Sequence, residues 1–180
     1  MAIKSTIYKA DLNISDMDRG YYADHSLTIA RHPSETDERM MIRVLAFAIH
    51  AAERLQFGRG ISDTEEPDVM LKDYTEAFLL WVEVGQPDDR RLLKACGRSE
   101  QVLVYSFANA SDIWWRQMNS RLDRAKNLCV MNVPAQQSQE LAKLAQRSMQ
   151  LQCTIQDGQI WMSAGDTQVQ IDLQTWKALV

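Results

Sequence analysis

Apolar and polar positions alternate with a period of two along residues 3–14 and again along 21–30, so both stretches read as strands with one buried face. Tyr8, Ala10, Leu12 and Ile14 fall on one side and Lys9, Asp11 and Asn13 on the other. Leu27 and Ile29 alternate with Ser26 and Thr28, and Asp16 to Gly20 supplies a turn, which predicts a hairpin. From Ser34 the period becomes helical. Met41, Leu45, Ala48, Ala52 and Leu55 recur on one face of a long helix, with Ser34 as its cap and Asp37 reaching back. Glu35, Asp37 and Glu38 suit the positive helix start. Arg39, Arg43, His50 and Arg54 gather opposite, as a solvated face or a phosphate-steering one.

Two short extended runs follow Phe57-Gly58-Arg59-Gly60, the first reaching Asp68 and the second spanning Phe78 to Gly85. Pro87 and Gly97 bracket a short helix, and Val102 to Phe107 reads as a buried strand. A helix from Ser111 to Leu122, a strand from Leu128 to Val133 and a helix from Ala135 to Arg147 complete the middle. Strands alternating with helices imply parallel pairing there. Leu151, Cys153 and Ile155 alternate with polar residues up to Asp157-Gly158, a two-residue hairpin turn. Ile160 and Met162, then Val169, Ile171 and Leu173, continue as strands. The expected class is a mixed α/β or α+β domain, one unit over residues 1–180, with a central sheet carrying hairpins at its edges.

With 180 residues, 46% hydrophobic and 24% charged, the chain has room for a sizeable core. No apolar run nears the roughly 20 residues a membrane helix needs. Met1 to Ser5 shows no signal-peptide pattern, so a cytoplasmic location is expected. Cys96, Cys129 and Cys153 lack a CxxC pair, which predicts reduced thiols. His25, His32 and His50 do not fall at zinc-ligand spacing with them, and His50 reads as a surface helix residue. The formal charge of −4 argues against coating nucleic acid through bulk electrostatics, although a local basic rim remains compatible with it.

The chemistry concentrates in Glu66-Pro67-Asp68 and in Glu83, an acid inside the apolar run Phe78 to Val84. A carboxylate in a buried strand needs hydrogen bonds, a cation or a cavity. Two carboxylates on paired strands suit a hard divalent ion such as Mg²⁺. The spacing resembles the PD-(D/E)XK nuclease signature, except that Gly85 stands where that signature places its lysine.

Over nearly its whole length the chain also resembles the YaeQ family of bacterial proteins. Segments carrying the resemblance include Thr6 to Ala10, Ala30-Arg31-His32-Pro33-Ser34-Glu35-Thr36, Glu53 to Phe57, Ile113-Trp114-Trp115 and Thr154 to Gly158. The resemblance implies a divergent PD-(D/E)XK, restriction-endonuclease-like core. It also implies a metal site of Asp68 and Glu83 with the Val84 carbonyl, joined by Glu38 from the first helix. The missing cation would come from Lys94 or Arg91, with Mg²⁺ or Mn²⁺ as the ion. Trp114 and Trp115 could stack on unpaired bases, although such a pair more often splits between core and groove. Three functions follow: a metal-dependent nuclease acting on DNA or RNA, a degenerate nuclease fold binding nucleic acid or protein in transcription or RNA metabolism, or a scaffold with neither activity.

Overall fold

A computed structural model describes residues 4–60 and 65–180. The expected hairpin is present. β1 (Thr6–Asp16) pairs antiparallel with β2 (Tyr21–Arg31) in unbroken register. Their exposure alternates, with Ala10, Leu12, Ile14 and Ile29 buried, as a period of two requires. Residue 3, the first of the expected strand, lies outside the described residues.

α1 (Asp37–His50) is capped by Thr36, not Ser34; the Thr36 hydroxyl accepts the Arg39 amide at 3.1 Å. Ser34 instead bonds the His32 ring at 2.6 Å. The helix ends at His50, before Ala52 and Leu55. Met40 through Ala48 are all buried, Arg43 included, so α1 is a central helix without the solvated face its arginines suggested.

β3 (Gln56–Phe57), β4 (Val69–Lys72) and β5 (Phe78–Val84) form an antiparallel run. α2 (Asp89–Arg98) follows, capped by Asp88, and runs through Gly97 instead of ending there. β6 (Ser99–Ser106) pairs parallel with β5, and β7 (Leu128–Asn132) parallel with β6, across α3 (Ser111–Leu122). α4 (Ala135–Ala142) is shorter than its sequence pattern. β8 (Ser148–Gln156), β9 (Gln159–Ala164) and β10 (Thr167–Ile171) follow, then β11 (Gln174–Lys177), which the sequence pattern did not reveal.

The expected central sheet with edge hairpins is instead two sheets. One has the order β10-β9-β8-β1-β2, the other β11-β7-β6-β5-β4-β3. The first is joined through β1 and β8, which run parallel. Its buried face, α1 and one face of the second sheet (Leu80, Val82, Val84, Leu103, Tyr105) share one core. The opposite face of the second sheet presents Trp81, Val102, Val104 and Val130 to Leu92 and Ala95 of α2 and Trp114 and Leu122 of α3. The layers therefore run sheet, α1, sheet, α2 with α3. No helix among the described residues is long and apolar enough to cross a membrane.

Candidate functional site

The period of two along β5 sends Leu80, Val82 and Val84 toward α1 and Trp81 and Glu83 toward α2. Val69 of β4 pairs with Val82, so continuing that antiparallel register by one residue sets Asp68 opposite Glu83 on the same face. The Asp68 amide donates to the Val82 carbonyl at 2.9 Å, and Asp68 Oδ2 accepts the Val84 amide at 2.8 Å. Both acids line one open cleft of about 370 Å³ with Arg39, Glu66, Gln86 and Arg91. The cleft lies at the carboxyl end of β5, where the chain leaves the sheet for α2. Ligands of open α/β sheets bind at such strand ends.

Each acid carries an arginine. Arg39 Nη2 donates to Asp68 Oδ1 at 2.8 Å and to the Val84 carbonyl at 3.2 Å, while Nη1 donates to Glu35 Oε2 at 2.7 Å. Glu83 Oε1 accepts Trp81 Nε1 and Arg91 Nε, both at 2.8 Å. Arg91 Nη2 also reaches the Glu66 carbonyl at 3.1 Å. Burial first, and then the negative charge of Asp68, raise the Glu83 pKa above the ordinary carboxylate value, against the bonds from Trp81 and Arg91. Burial disfavours the charge on Arg39, but Asp68 and Glu35 more than offset it, and its pKa lies above the usual one.

The other residues named from the sequence lie elsewhere. Lys94 is exposed and pairs with Glu65 at 3.3 Å, outside the cleft lining. Glu38 accepts the Ser138 hydroxyl at 2.7 Å, tying α1 to α4, and does not line the cleft either. Arg91 is the expected cation that the fold brings to an acid. Arg39 and Gln86 belong to the cleft without having been singled out. Arg39 stood among the basic residues of α1, and only a pairing between α1 and the end of β5 could have placed it. Gln86 donates to the Phe107 carbonyl and to Ser111 Oγ.

Gly85 has φ +107°, a region that side-chain-bearing residues rarely enter. A lysine at the motif position would therefore strain the strand exit, which gives a backbone reason for its absence. Trp114 and Trp115 split. The Trp114 indole donates to the Pro87 carbonyl at 2.8 Å from a buried position, and Trp115 stacks on Trp176. His50 is half-buried rather than fully on the surface: its ring bonds the Tyr105 hydroxyl at 2.6 Å, and burial, with Arg19 nearby, lowers its pKa to about 4.

Asp68, Glu83 and the Val84 carbonyl are hard oxygen donors at one strand end, the donor type Mg²⁺ takes alongside retained waters and substrate phosphates. Among the described residues no three His, Cys, Asp or Glu side chains group to hold a metal. The donor set fits a magnesium-like ion in chemistry and in its minimum number, and not a fully protein-ligated ion. A larger hollow of about 560 Å³ lies on the outer face of the β1-β2-β8-β9 sheet. Its polar groups bond one another, as Asn13 does Asp24 at 2.7 Å and Gln150 does Asp11 at 2.8 Å. Among the described residues no comparable set of paired charges converges there.

Comparison with known proteins places the whole chain in a family. The family model for the YaeQ protein matches residues 1–173. A Salmonella typhi protein described as "Uncharacterized protein YaeQ" is 45% identical over 178 residues, 98% of each chain. Its Escherichia coli (strain K12) counterpart is 44% identical over the same span. The crystal structure of the YaeQ protein from Xanthomonas axonopodis pv. citri superposes with a TM-score of 0.93, at 46% identity, over 97% of this chain and 99% of that one. That from Pseudomonas syringae gives 0.93 at 37% identity over 97% of both. The chain belongs to the YaeQ family.

Proposed function

We propose that the cleft is a nuclease-like site of PD-(D/E)XK type, acting on the phosphodiesters of DNA or RNA with Mg²⁺ or Mn²⁺. One observation carries this reading: Asp68 and Glu83 sit across paired strands on one face and open into one cleft with two arginines. Asp68, Glu83 and the Val84 carbonyl are the groups that would hold the ion. Bound there, such an ion would supply Lewis-acid polarisation of a phosphoryl oxygen and a lower pKa for a bound water. Arg91, beside Glu83 in the cleft lining, would supply the positive charge that the signature places on its lysine. Gln86, fixed by Phe107 and Ser111, borders the cleft as a neutral polar group.

A second reading has its own support. Both acids already carry an arginine, which suits a metal-free module that binds an anionic partner through the same cleft. The readings separate in a cleavage panel of single- and double-stranded DNA and RNA with Mg²⁺ and Mn²⁺. The nuclease reading predicts metal-dependent cleavage that falls at least about a hundredfold in Asp68→Asn, as loss of a charge-stabilising group typically costs. Salt-sensitive binding without cleavage, unchanged in Asp68→Asn, would favour the binding module.

A further inference from the structure

Arg39 stands where a divalent ion would have to sit. Its Nη2 lies 2.8 Å from Asp68 Oδ1 and 3.2 Å from the Val84 carbonyl, two of the three groups proposed above as metal donors. A guanidinium nitrogen held by those two oxygens crowds and repels a metal ion approaching the same atoms, because both are cations drawn to the same negative charge. Nor is this a loose surface contact. Arg39 Nη1 is fixed by Glu35, and Glu35 is fixed in turn by Arg43 through both carboxylate oxygens. The side chains of Glu35 and Arg43 are each only 1% exposed, and Arg43 is anchored to the Ala30 carbonyl of β2. A buried brace at the start of α1, tied to the other sheet at Ala30, thus presents one guanidinium to the cleft.

Charge points the same way. Each acid lining the cleft has an arginine, Asp68 with Arg39, Glu83 with Arg91 and Glu66 with Arg59, so these six groups sum to zero. Take away Arg39 and the set becomes negative, the condition under which a doubly charged ion is drawn in.

We propose that Arg39 is the resident cation of the cleft: it competes with a divalent ion for Asp68 Oδ1 and the Val84 carbonyl, and so sets the metal affinity of the site. The inference rests on the metal-site reading above and adds the group that opposes it.

Calorimetric titration with Mn²⁺ tests it on the full chain, in the unaltered protein and in Arg39→Gln and Arg39→Lys. Circular dichroism first checks that each variant is folded. Arg39→Lys guards against misfolding of the neutral variant, since it keeps a charge for Glu35 but cannot span Glu35, Asp68 and Val84 together. The expected result is a dissociation constant lowered at least about tenfold in Arg39→Gln and by an intermediate factor in Arg39→Lys. The gain should vanish when Asp68→Asn and Glu83→Gln are added to either variant. Unchanged or weaker Mn²⁺ binding in the folded arginine variants overturns the inference, as does a gain that survives loss of both acids. If the unaltered protein binds Mn²⁺ through Asp68 and Glu83 while the arginine variants bind no tighter, the metal site stands and the competition falls. Absence of binding in every protein removes both.

Discussion

Glu35 is the side chain on which the two arginines of α1 converge, because Arg39 and Arg43 both bond it. Glu35→Gln leaves Arg43 buried without its countercharge, and breaking one partner of such a pair costs about 3–5 kcal/mol. Urea denaturation should show that loss, whereas Lys94→Ala, which breaks an exposed pair with Glu65, should change stability by under about 1 kcal/mol and leave metal binding unaltered. His50 gives a pH signature. Its folded form stays neutral until pH falls to about 4, while the unfolded chain takes up the proton near 6.5. The unfolded state thus binds more protons within that window. The stability His50 contributes is complete above pH 6.5 and is lost as pH drops toward 4, by at most about 3 kcal/mol. A His50→Gln variant should lose less stability over the same interval. Asp68 and Glu83 were legible as a pair, because an acid inside an apolar strand demands a partner and a period of two fixes its face. Arg39 was not, since a helical wheel divides α1 into faces but cannot show that both are covered.

At the level of elements, the exit of β5 decides the character of the site. Gly85 at φ +107° swings the chain toward α2 with open space around its α-carbon. Gly85→Ala should therefore cost about 1–3 kcal/mol through backbone strain alone, readable as a lower melting temperature with the cleft residues intact. Gly85→Lys should carry the same strain, and so should not restore the signature its sequence position suggests. Strand periodicity located β1, β2 and β8 because each alternates between a buried and an exposed face, whereas β5 was legible as an apolar run because both its faces are covered. Helix ends were less legible. Thr36 competes with Ser34 for the same capping role, and Ser34 is already bonded to His32. Gly97 sits inside α2, with Ser99 taking over beyond it. β11 escaped notice because Gln174 to Lys177 has no alternation, and it pairs with β7 through a register shift.

For the whole molecule, two sheets replaced one because β1 recruits β8 from the far end of the chain. No local pattern encodes that pairing. The arrangement buries α1 between the sheets and delivers its first turn to the end of β5, so the cleft draws on α1, β4, β5 and α2 together. The proposed divalent-ion site depends on Asp68 and Glu83 acting together at that junction. Thermal denaturation with Mg²⁺ and Mn²⁺ tests that dependence, run on the unaltered protein beside the isosteric Asp68→Asn and Glu83→Gln double variant. A concentration-dependent rise in melting temperature that disappears in the double variant is the predicted result. An equal response from both folded proteins, or none from either at millimolar ion, would contradict it.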